Sequence, residues 1–405
     1  MSAFTEDLIK DILRSEGFPV PRGVVVSNKS ELTNKMEDDI KWFFLKALIP
    51  TGRRGLSGAV FKTRREDIEE GLDKLINKDV QGYKVERVLV EESMDLEKEL
   101  FLSFSFDRNH RVVVIMVTAE GGVEIETVIE EEPKKLHCKH IDSNYGLSFH
   151  VAVALWSRAG LNGKTLLKAA NLTTRLYELF NKLDLTLLEI NPLCIDKQGE
   201  VVIIGAMAEI DEDAAFRQKQ VVVKIEEVLG ENRWARLTEL EKRVAVANYK
   251  EPGTGTVRYR EIPGGDIALL TGGAGAGLVV VDSIRSYGGK PANYSDVGAG
   301  DVRERMKVLI NTILSNKGIK GFLVAFSTLN LGRADFLAAM LKTALQENMI
   351  DPRQFPVVVR LAGLGEEKAG EILSEIEGLH FHGSDLTLEE AAGKMVGLVN
   401  GEGTS

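Results

Sequence analysis

Cysteine is nearly missing from this chain. Two occur in 405 residues, Cys138 and Cys194, far apart in the sequence. That excludes a disulfide framework and any thiolate metal motif, and it suits a reducing, cytoplasmic compartment. No run of about 18 apolar residues occurs, so no membrane-spanning helix is expected, and the acidic start from Met1 to Asp7 has no signal-peptide core. Positive charge is also short. The formal net charge is −10, which excludes a general nucleic-acid binder but not a local anion site. The six histidines, His110, His137, His140, His150, His380 and His382, show no metal-ligand spacing. His380 and His382 point to one side of a strand, but no third ligand follows them, so core or surface roles are expected. Neither a nucleophile elbow nor a P-loop appears.

What is present is an ordinary globular composition, 44% apolar and 28% charged, long enough for two or three domains of about 150 residues. Phe4 to Glu16 has helical spacing, with Leu8, Ile9, Ile12 and Leu13 on one face, and Gly17 to Pro21 ends it. Strands are expected over 43–49, 60–62, 85–91, 100–107 and 111–118, with a turn at Asp107-Arg108-Asn109-His110. Residues 161–183 read as a long helix. It leads into the apolar strand Leu188-Glu189-Ile190-Asn191-Pro192-Leu193, which the proline is expected to stop, and then a hairpin from Cys194 to Ile204 turning at Lys197-Gln198-Gly199. Residues 226–248 read as one helix and 249–263 as a linker, which places the domain boundary near 250–262. The remainder is regular. Strands at 267–271, 292–294, 322–326, 356–361 and 380–382 alternate with five helices, the pattern of a flavodoxin-like, doubly wound parallel sheet. Ligands of such sheets sit beyond the carboxyl ends of the strands.

Several residue groups carry possible chemistry. The turn from Thr271 through Gly272 and Gly273 to Gly277 joins a strand to a helix, so its amides and the helix N-terminus suit an anion. It misses the dinucleotide fingerprint because Leu278 stands where the last glycine would fall. A tight structural turn would look the same in sequence. Gly298-Ala299-Gly300 and the loop Ser327-Thr328-Leu329-Asn330-Leu331-Gly332-Arg333 lie on the same edge. Arg360, between Val359 and Leu361 on an apolar strand, needs an anion, either a bound carboxylate or an internal Asp or Glu. Lys46 lies within an apolar strand before a Gly- and Arg-rich loop, which suits phosphate contact or a lysine that snorkels to water. Glu91 and Glu92 close a strand and could accept from an amine or a ribose hydroxyl. Glu189 and Asn191, at the end of another, are candidates for metal and phosphate work or simply solvated polar groups.

These segments together resemble the β subunit of succinyl-CoA synthetase, in the nucleotide-dependent acyl-CoA synthetase group, over nearly the whole chain. The resemblance rests on Val90-Glu91 with Lys98-Glu99-Leu100, Glu120-Gly121-Gly122-Val123-Glu124-Ile125-Glu126, Leu188 to Leu193, Ala215-Phe216-Arg217-Gln218, Pro291-Ala292-Asn293 and Pro356 to Leu361. It implies an ATP-grasp domain over 1–250 followed by a flavodoxin-like CoA-ligase domain over 262–405. It implies a ligase that joins a di- or tricarboxylic acid to CoA at the expense of ATP or GTP with Mg2+. The phosphoryl group would pass through a histidine on a separate α-type subunit, which also binds most of the CoA, so a hetero-oligomer is expected. By position, Lys46 and the loop Gly52, Arg53, Arg54 and Gly55 resemble the phosphate-contacting elements, and Glu91 and Glu99 the nucleotide-side carboxylates. Glu189 resembles the carboxylate that steadies the partner's phosphohistidine, and Asn191 a magnesium ligand. Gly272, Gly273, Ser327, Thr328, Leu329, Asn330 and Arg360 resemble the organic-acid site.

Two departures support an alternative, a binding or regulatory subunit that no longer transfers phosphate. Arg53 replaces a glycine of the family loop. Gly205 stands where the family has an aspartate, the second magnesium ligand; Glu209 or Asp211 could stand in only with a shifted backbone. The longer loop Ser327–Asn330, and Gly272 in place of an Asn, lean toward citrate-activating relatives, in which extra glycines would leave room for a larger acid.

Overall fold

The computed structural model describes residues 2–32, 40–51, 55, 57–122, 132–211, 214, 216–230, 237–251 and 254–401. It divides into two compact units, Met1–Arg236 and Leu237–Ser405. The division falls before the helix Glu239–Lys250, which therefore belongs to the second unit and not to the first domain as the sequence suggested.

The first unit holds a seven-stranded antiparallel sheet. Its order is Ser2–Ala3, Ala206–Ile210, Leu185–Asp196, Leu96–Asp107, Val112–Thr118 and His137–Ile141, with Val201–Ile203 also paired to Leu185–Asp196. Period-two alternation gives this sheet two different faces. Leu100, Leu102, Phe104, Leu188 and Ile190 point into one core with Trp156, Leu176 and Phe180 of the helices Phe149–Arg158 and Gly163–Lys182. Glu99, Ser103 and Glu189 alternate with those residues and take the other face, where Glu189 pairs directly with Ser103. A second antiparallel sheet orders Gly23–Val26, Val88–Glu92, Trp42–Ala47 and Val60–Arg64. Helix Ile68–Leu75 packs on it through Ile68, Leu72 and Leu75.

Pro192 does not stop its strand. Leu185–Asp196 runs through it, and the pairing with Leu96–Asp107 shifts register between Ile190 and Leu193, which takes up the missing amide as an irregularity. The single helix expected over 226–248 is two helices, Lys219–Leu229 and Glu239–Lys250. Gly230 ends the first at a positive φ of 48°, and Thr238 with Glu241 forms a capping box that starts the second.

The second unit is a six-stranded sheet in the order Val257–Glu261, Asn293–Val297, Ile267–Gly272, Gly321–Phe326, Val357–Arg360 and His380–His382. The last five run parallel, in flavodoxin order, and each is followed by a helix as expected. Val257–Glu261 lies in the span read as linker, but it forms an antiparallel edge strand. Its alternation is visible in the sequence: Val257 and Tyr259 are buried, Arg258 and Arg260 exposed. Both faces of the sheet are covered. Helices Gly275–Ser286 and Leu388–Val399 pack on one side with Leu269, Leu323 and Val358. Helices Arg303–Leu314, Ala334–Glu347 and Glu366–Ser374 pack on the other with Leu270, Val324 and Val359. That explains the unbroken apolar strands. Among the described residues no helix is long and apolar enough to cross a membrane.

Candidate functional site

In the first unit, two of the expected residues, Asn191 and Glu99, meet at one glycine, and a third, Glu189, adjoins Asn191. The backbone N–H of Gly122 donates to Asn191 Oδ1 at 3.0 Å. Asn191 Nδ2 lies 3.5 Å from Glu189 Oε1. Gly122 adopts a φ of +72°, which favours glycine, and a Cβ there would push the Glu99 carboxylate aside. Gly121 N–H donates to the Glu99 carbonyl at 3.1 Å and fixes the turn to its strand. Glu99 as a residue is exposed, yet partial withdrawal of its carboxyl from water raises its pKa. Proximity to an anionic ligand would raise it further; a metal cation would lower it. Ser103, paired with Glu189 across the sheet, is buried with an unpartnered Oγ. Asn191 Oδ1 with the Glu99 and Glu189 carboxylates is an oxygen donor set of the kind that, with phosphate oxygens, completes a magnesium shell.

Gly205, where the resemblance led to the expectation of an aspartate, is closely packed. It follows the turn in which Ile204 and Gly205 N–H both donate to the Pro192 carbonyl at 3.1 Å, and its own carbonyl accepts from Asn191 N–H at 3.0 Å. A Cβ here would overlap the Asn191 carbonyl. Backbone, unlike a flexible side chain, cannot move aside without breaking those bonds. Glu209, on the strand Ala206–Ile210, pairs with Leu187 and Ala3.

Beside this turn lies a buried charge quartet that the sequence did not reveal. Lys10 and Lys46 face Glu6 and Glu91, all four at most 4% exposed. Lys46 Nζ bonds Glu6 Oε1 at 2.8 Å, Glu91 Oε2 at 2.5 Å and the Ile204 carbonyl at 2.7 Å. Lys10 Nζ bonds Glu6 Oε1 at 2.8 Å, the Ile204 carbonyl at 2.6 Å, and Glu91 Oε1. Each ammonium thus has three acceptors for its three N–H bonds, and the charges of the four side chains cancel. Burial is the largest influence on both amines and disfavours their charge. At Lys46 the two carboxylates outweigh it and raise the pKa. At Lys10 burial prevails, helped by the charge of Lys46, and the pKa is lowered. Lys46 and Glu91, expected to meet the nucleotide, bond one another here, so a phosphate reaching Lys46 would have to displace an existing partner. Glu6 and Lys10 escape a reading of the helix by its apolar face alone. A signal is nevertheless there: an i,i+4 Glu–Lys pair in line with Ile9 and Leu13.

Of the expected phosphate loop, Gly52, Arg53 and Arg54 lie outside the described residues, as do residues 123–126 and Ala215 of the resembling segments. Gly55 is described and exposed, its carbonyl accepting from Gly58 N–H at 3.2 Å. Cys194 lies close enough to the cluster that burial, with the Glu99 charge, pushes its thiol up to about 12, which leaves it inert as a nucleophile. Both cysteines are free.

The second unit brings its loops together at the carboxyl ends of the parallel strands. Ser327 N–H donates to the Gly272 carbonyl at 3.1 Å, and Leu329 forms a bridge with Gly363 through bonds to Ala362 and Leu364. Thr328 and Asn330 are exposed on the same loop. Arg360 Nη1 donates to the Phe326 carbonyl at 2.6 Å and Nε to the Leu386 carbonyl at 2.9 Å. Among the described residues it forms no ion pair, and burial lowers its pKa. Glu366 and Asp385 offset part of that shift from a distance, without direct ion-pair contact. The glycine turn already holds an internal anion: Ala274 N–H donates to Asp296 Oδ1 at 3.0 Å. A Cβ on Gly272 would overlap the Phe326 ring, and one on Gly273 would overlap the Ser327 side chain.

The carboxylate-and-amide cluster on an antiparallel sheet, followed by a flavodoxin-like unit, defines a two-domain CoA ligase of the ATP-grasp type. The ATP-grasp domain family model matches residues 4–195. The succinate–CoA ligase (ADP-forming) subunit beta of Ignicoccus hospitalis is 33% identical over 386 residues, covering 94% of this chain and 96% of that one. Its counterpart from Methanocaldococcus jannaschii is 33% identical over 388 residues, covering 96% and 97%. Among solved structures, ATP citrate lyase from Methanothrix soehngenii in complex with citrate and coenzyme A superimposes with a TM-score of 0.68 at 18% identity, covering 94% of this chain and 93% of that one. The chain belongs to the succinate–CoA ligase β-subunit family.

Proposed function

We propose that this chain is the nucleotide-binding subunit of an ADP-forming acid–thiol ligase that makes the CoA thioester of a small dicarboxylic acid, succinate or a close analogue. The observation that carries this reading is the grouping of Asn191 and Glu99 at Gly122, with Glu189 beside Asn191. Asn191 Oδ1 and the Glu99 carboxylate would hold Mg2+, which when bound neutralises the phosphates in transfer. Glu189 would accept from the imidazole of a phosphohistidine carried by an α-type partner and so fix its tautomer. The quartet of Glu6, Lys10, Lys46 and Glu91 forms the floor beneath the turn at Ile204 and fixes that turn in place. In the second unit Arg360 hydrogen-bonds backbone carbonyls and has no carboxylate at ion-pair distance among the described residues, which suits the carboxylate of the acid or of the partner-bound intermediate. A dicarboxylate is favoured over citrate because the curated relatives are named for succinate. CoA itself would be held mainly by the partner, and the complex would be cytoplasmic.

The test uses the complex co-expressed with its α-type partner. Calorimetric titration should show Mg2+-ATP binding, and CoA-dependent phosphate release should appear with succinate before citrate, malate or acetate. Glu189→Gln should keep nucleotide binding and abolish dephosphorylation of the partner's histidine. Absence of Mg2+-ATP binding would sink the catalytic reading and favour a subunit that binds without transferring phosphate, the reading to which Gly205 lends weight.

A further inference from the structure

At the far end of the strand that carries Glu99, the first unit brings together three metal-ligating side chains from separate elements. Asp107 ends the strand Leu96–Asp107, His110 lies in the turn that follows, and His140 lies on the strand His137–Ile141, two strands away in the sheet. Asp107 Oδ2 is 2.7 Å from His110 Nδ1 and 2.8 Å from His140 Nε2. The two imidazole rings lie 4.5 Å apart between centroids. One atom from each residue thus falls within 4.8 Å of the other two, and both histidines face solvent. The sequence could not show this. His110 and His140 lie thirty positions apart, and their proximity comes from the antiparallel register of three strands, with His140 opposite Val114 and Val114 opposite Ser105.

Two features go beyond chance proximity. The carboxylate is pre-set: Asp107 Oδ1 accepts from the backbone N–H of Asn109 at 2.9 Å and of His110 at 3.2 Å, which fixes the group and turns Oδ2 toward the rings. Metal-bound carboxylates are commonly held in this way through their other oxygen. The spacing also suits coordination. Ligands about 2.1 Å from a metal stand roughly 3.0–3.4 Å apart in octahedral or tetrahedral shells, so the two separations from Asp107 to the histidines need only a few tenths of an ångström of opening.

We propose that Asp107, His110 and His140 form a surface site for a divalent transition-metal ion, zinc foremost, separate from the nucleotide site. Two imidazoles and one carboxylate favour such ions over magnesium or calcium, which prefer all-oxygen shells. The positions left open face water. Eight residues at about 3.3 Å each place Asp107 roughly 26 Å along the strand from Glu99, so this metal takes no part in phosphoryl transfer. It would instead tie the turn at 107–110 to the strand at 137–141.

The full chain, with its partner, is titrated with Zn2+ by calorimetry and with Co2+ by visible absorption, both in millimolar Mg2+ to occupy oxygen-rich sites. One equivalent per chain should bind with micromolar affinity. His140→Ala should weaken binding by tenfold or more, and the double variant His110→Ala/His140→Ala should abolish it while Mg2+-ATP binding stays unchanged. Zinc should raise the melting temperature of the wild type and leave that of the double variant where it was. A wild type that binds no Zn2+ or Co2+ overturns the proposal, as does a double variant that still binds the same equivalent.

Discussion

The two units bury charge in opposite ways. In the first, two ammonium groups face two carboxylates, and the charges of these four side chains cancel. In the second, Arg360 and Arg305 spend their hydrogen bonds on backbone carbonyls: Phe326 and Leu386 for one, Gly255 and Glu251 for the other. A carbonyl satisfies a donor without cancelling its charge. The quartet therefore behaves as structure, holding the Ile204–Gly205 turn, whereas Arg360 keeps an attraction for an anion that arrives later. The difference teaches that burial alone does not mark a binding residue; the sign and charge of its existing partners do.

Breaking the quartet is the severest test of that contrast. Lys10→Met leaves two carboxylates facing one ammonium, and an uncompensated buried charge of this kind costs about 3–5 kcal/mol. Denaturant unfolding should show that loss. Adding Glu6→Gln, which closes the charge count again, should recover part of it, so the two changes should be strongly non-additive. If the single variant unfolds within 1 kcal/mol of wild type, the quartet is not the clamp described here.

Arg360→Gln should do the reverse. Its carbonyl partners survive with an amide donor, so stability should change little. The lost charge-assisted bond to the acid, about 1.5–3 kcal/mol, should raise KM for the acid by about 10–100-fold while Mg2+-ATP binding stays unchanged. A fall in melting temperature as large as that of Lys10→Met, with KM unmoved, would erase the distinction between the two units.

Gly205→Asp asks whether a carboxylate can be placed at this turn. The added Cβ meets the Asn191 backbone, so overpacking of about 1–3 kcal/mol is expected, with no gain in affinity for Mg2+-ATP. Tighter magnesium binding at unchanged melting temperature would mean that the turn opens readily and that glycine is there for another reason.

The same contrast explains what is legible in the sequence. The second unit repeats strand, loop and helix, so each loop's edge follows from its place in the order, and that order alone assigns Gly272, Ser327 and Arg360 to one edge. Its edge strand Val257–Glu261 escapes such a reading because flanking glycines outweigh a five-residue alternation. The first unit pairs strands antiparallel over long separations. Glu189 and Asn191 stand out by residue type on an apolar strand, but Lys10 meets Glu91 across 81 positions, and no local period reports that. Pro192 misleads for the same reason: whether a proline ends a strand or bulges it depends on the neighbour strand, which the local sequence does not contain.

The smallest effect concerns the clasp around Arg360. Glu366 Oε1 accepts from Ser384 N–H at 2.7 Å and from Ser384 Oγ at 3.0 Å, and Oε2 accepts from Gly363 N–H at 3.1 Å. These bonds, the Ser384 amide first, hold its carboxyl below its ordinary value of 4.5, with Arg360 adding a lesser pull. A carboxyl whose pKa is lower folded than unfolded contributes stability that is fully present above about pH 4.5 and fades as pH falls through the folded value. Glu366→Gln keeps one acceptor and loses the charge, so at pH 7 it should cost on the order of 1 kcal/mol. The gap in melting temperature between variant and wild type should narrow steadily below pH 4.5, because the wild type is then losing the same contribution by protonation. A gap that stays constant from pH 7 to pH 3 would show that the loops around Arg360 are held by packing, and that their charge is as self-contained as that of the quartet.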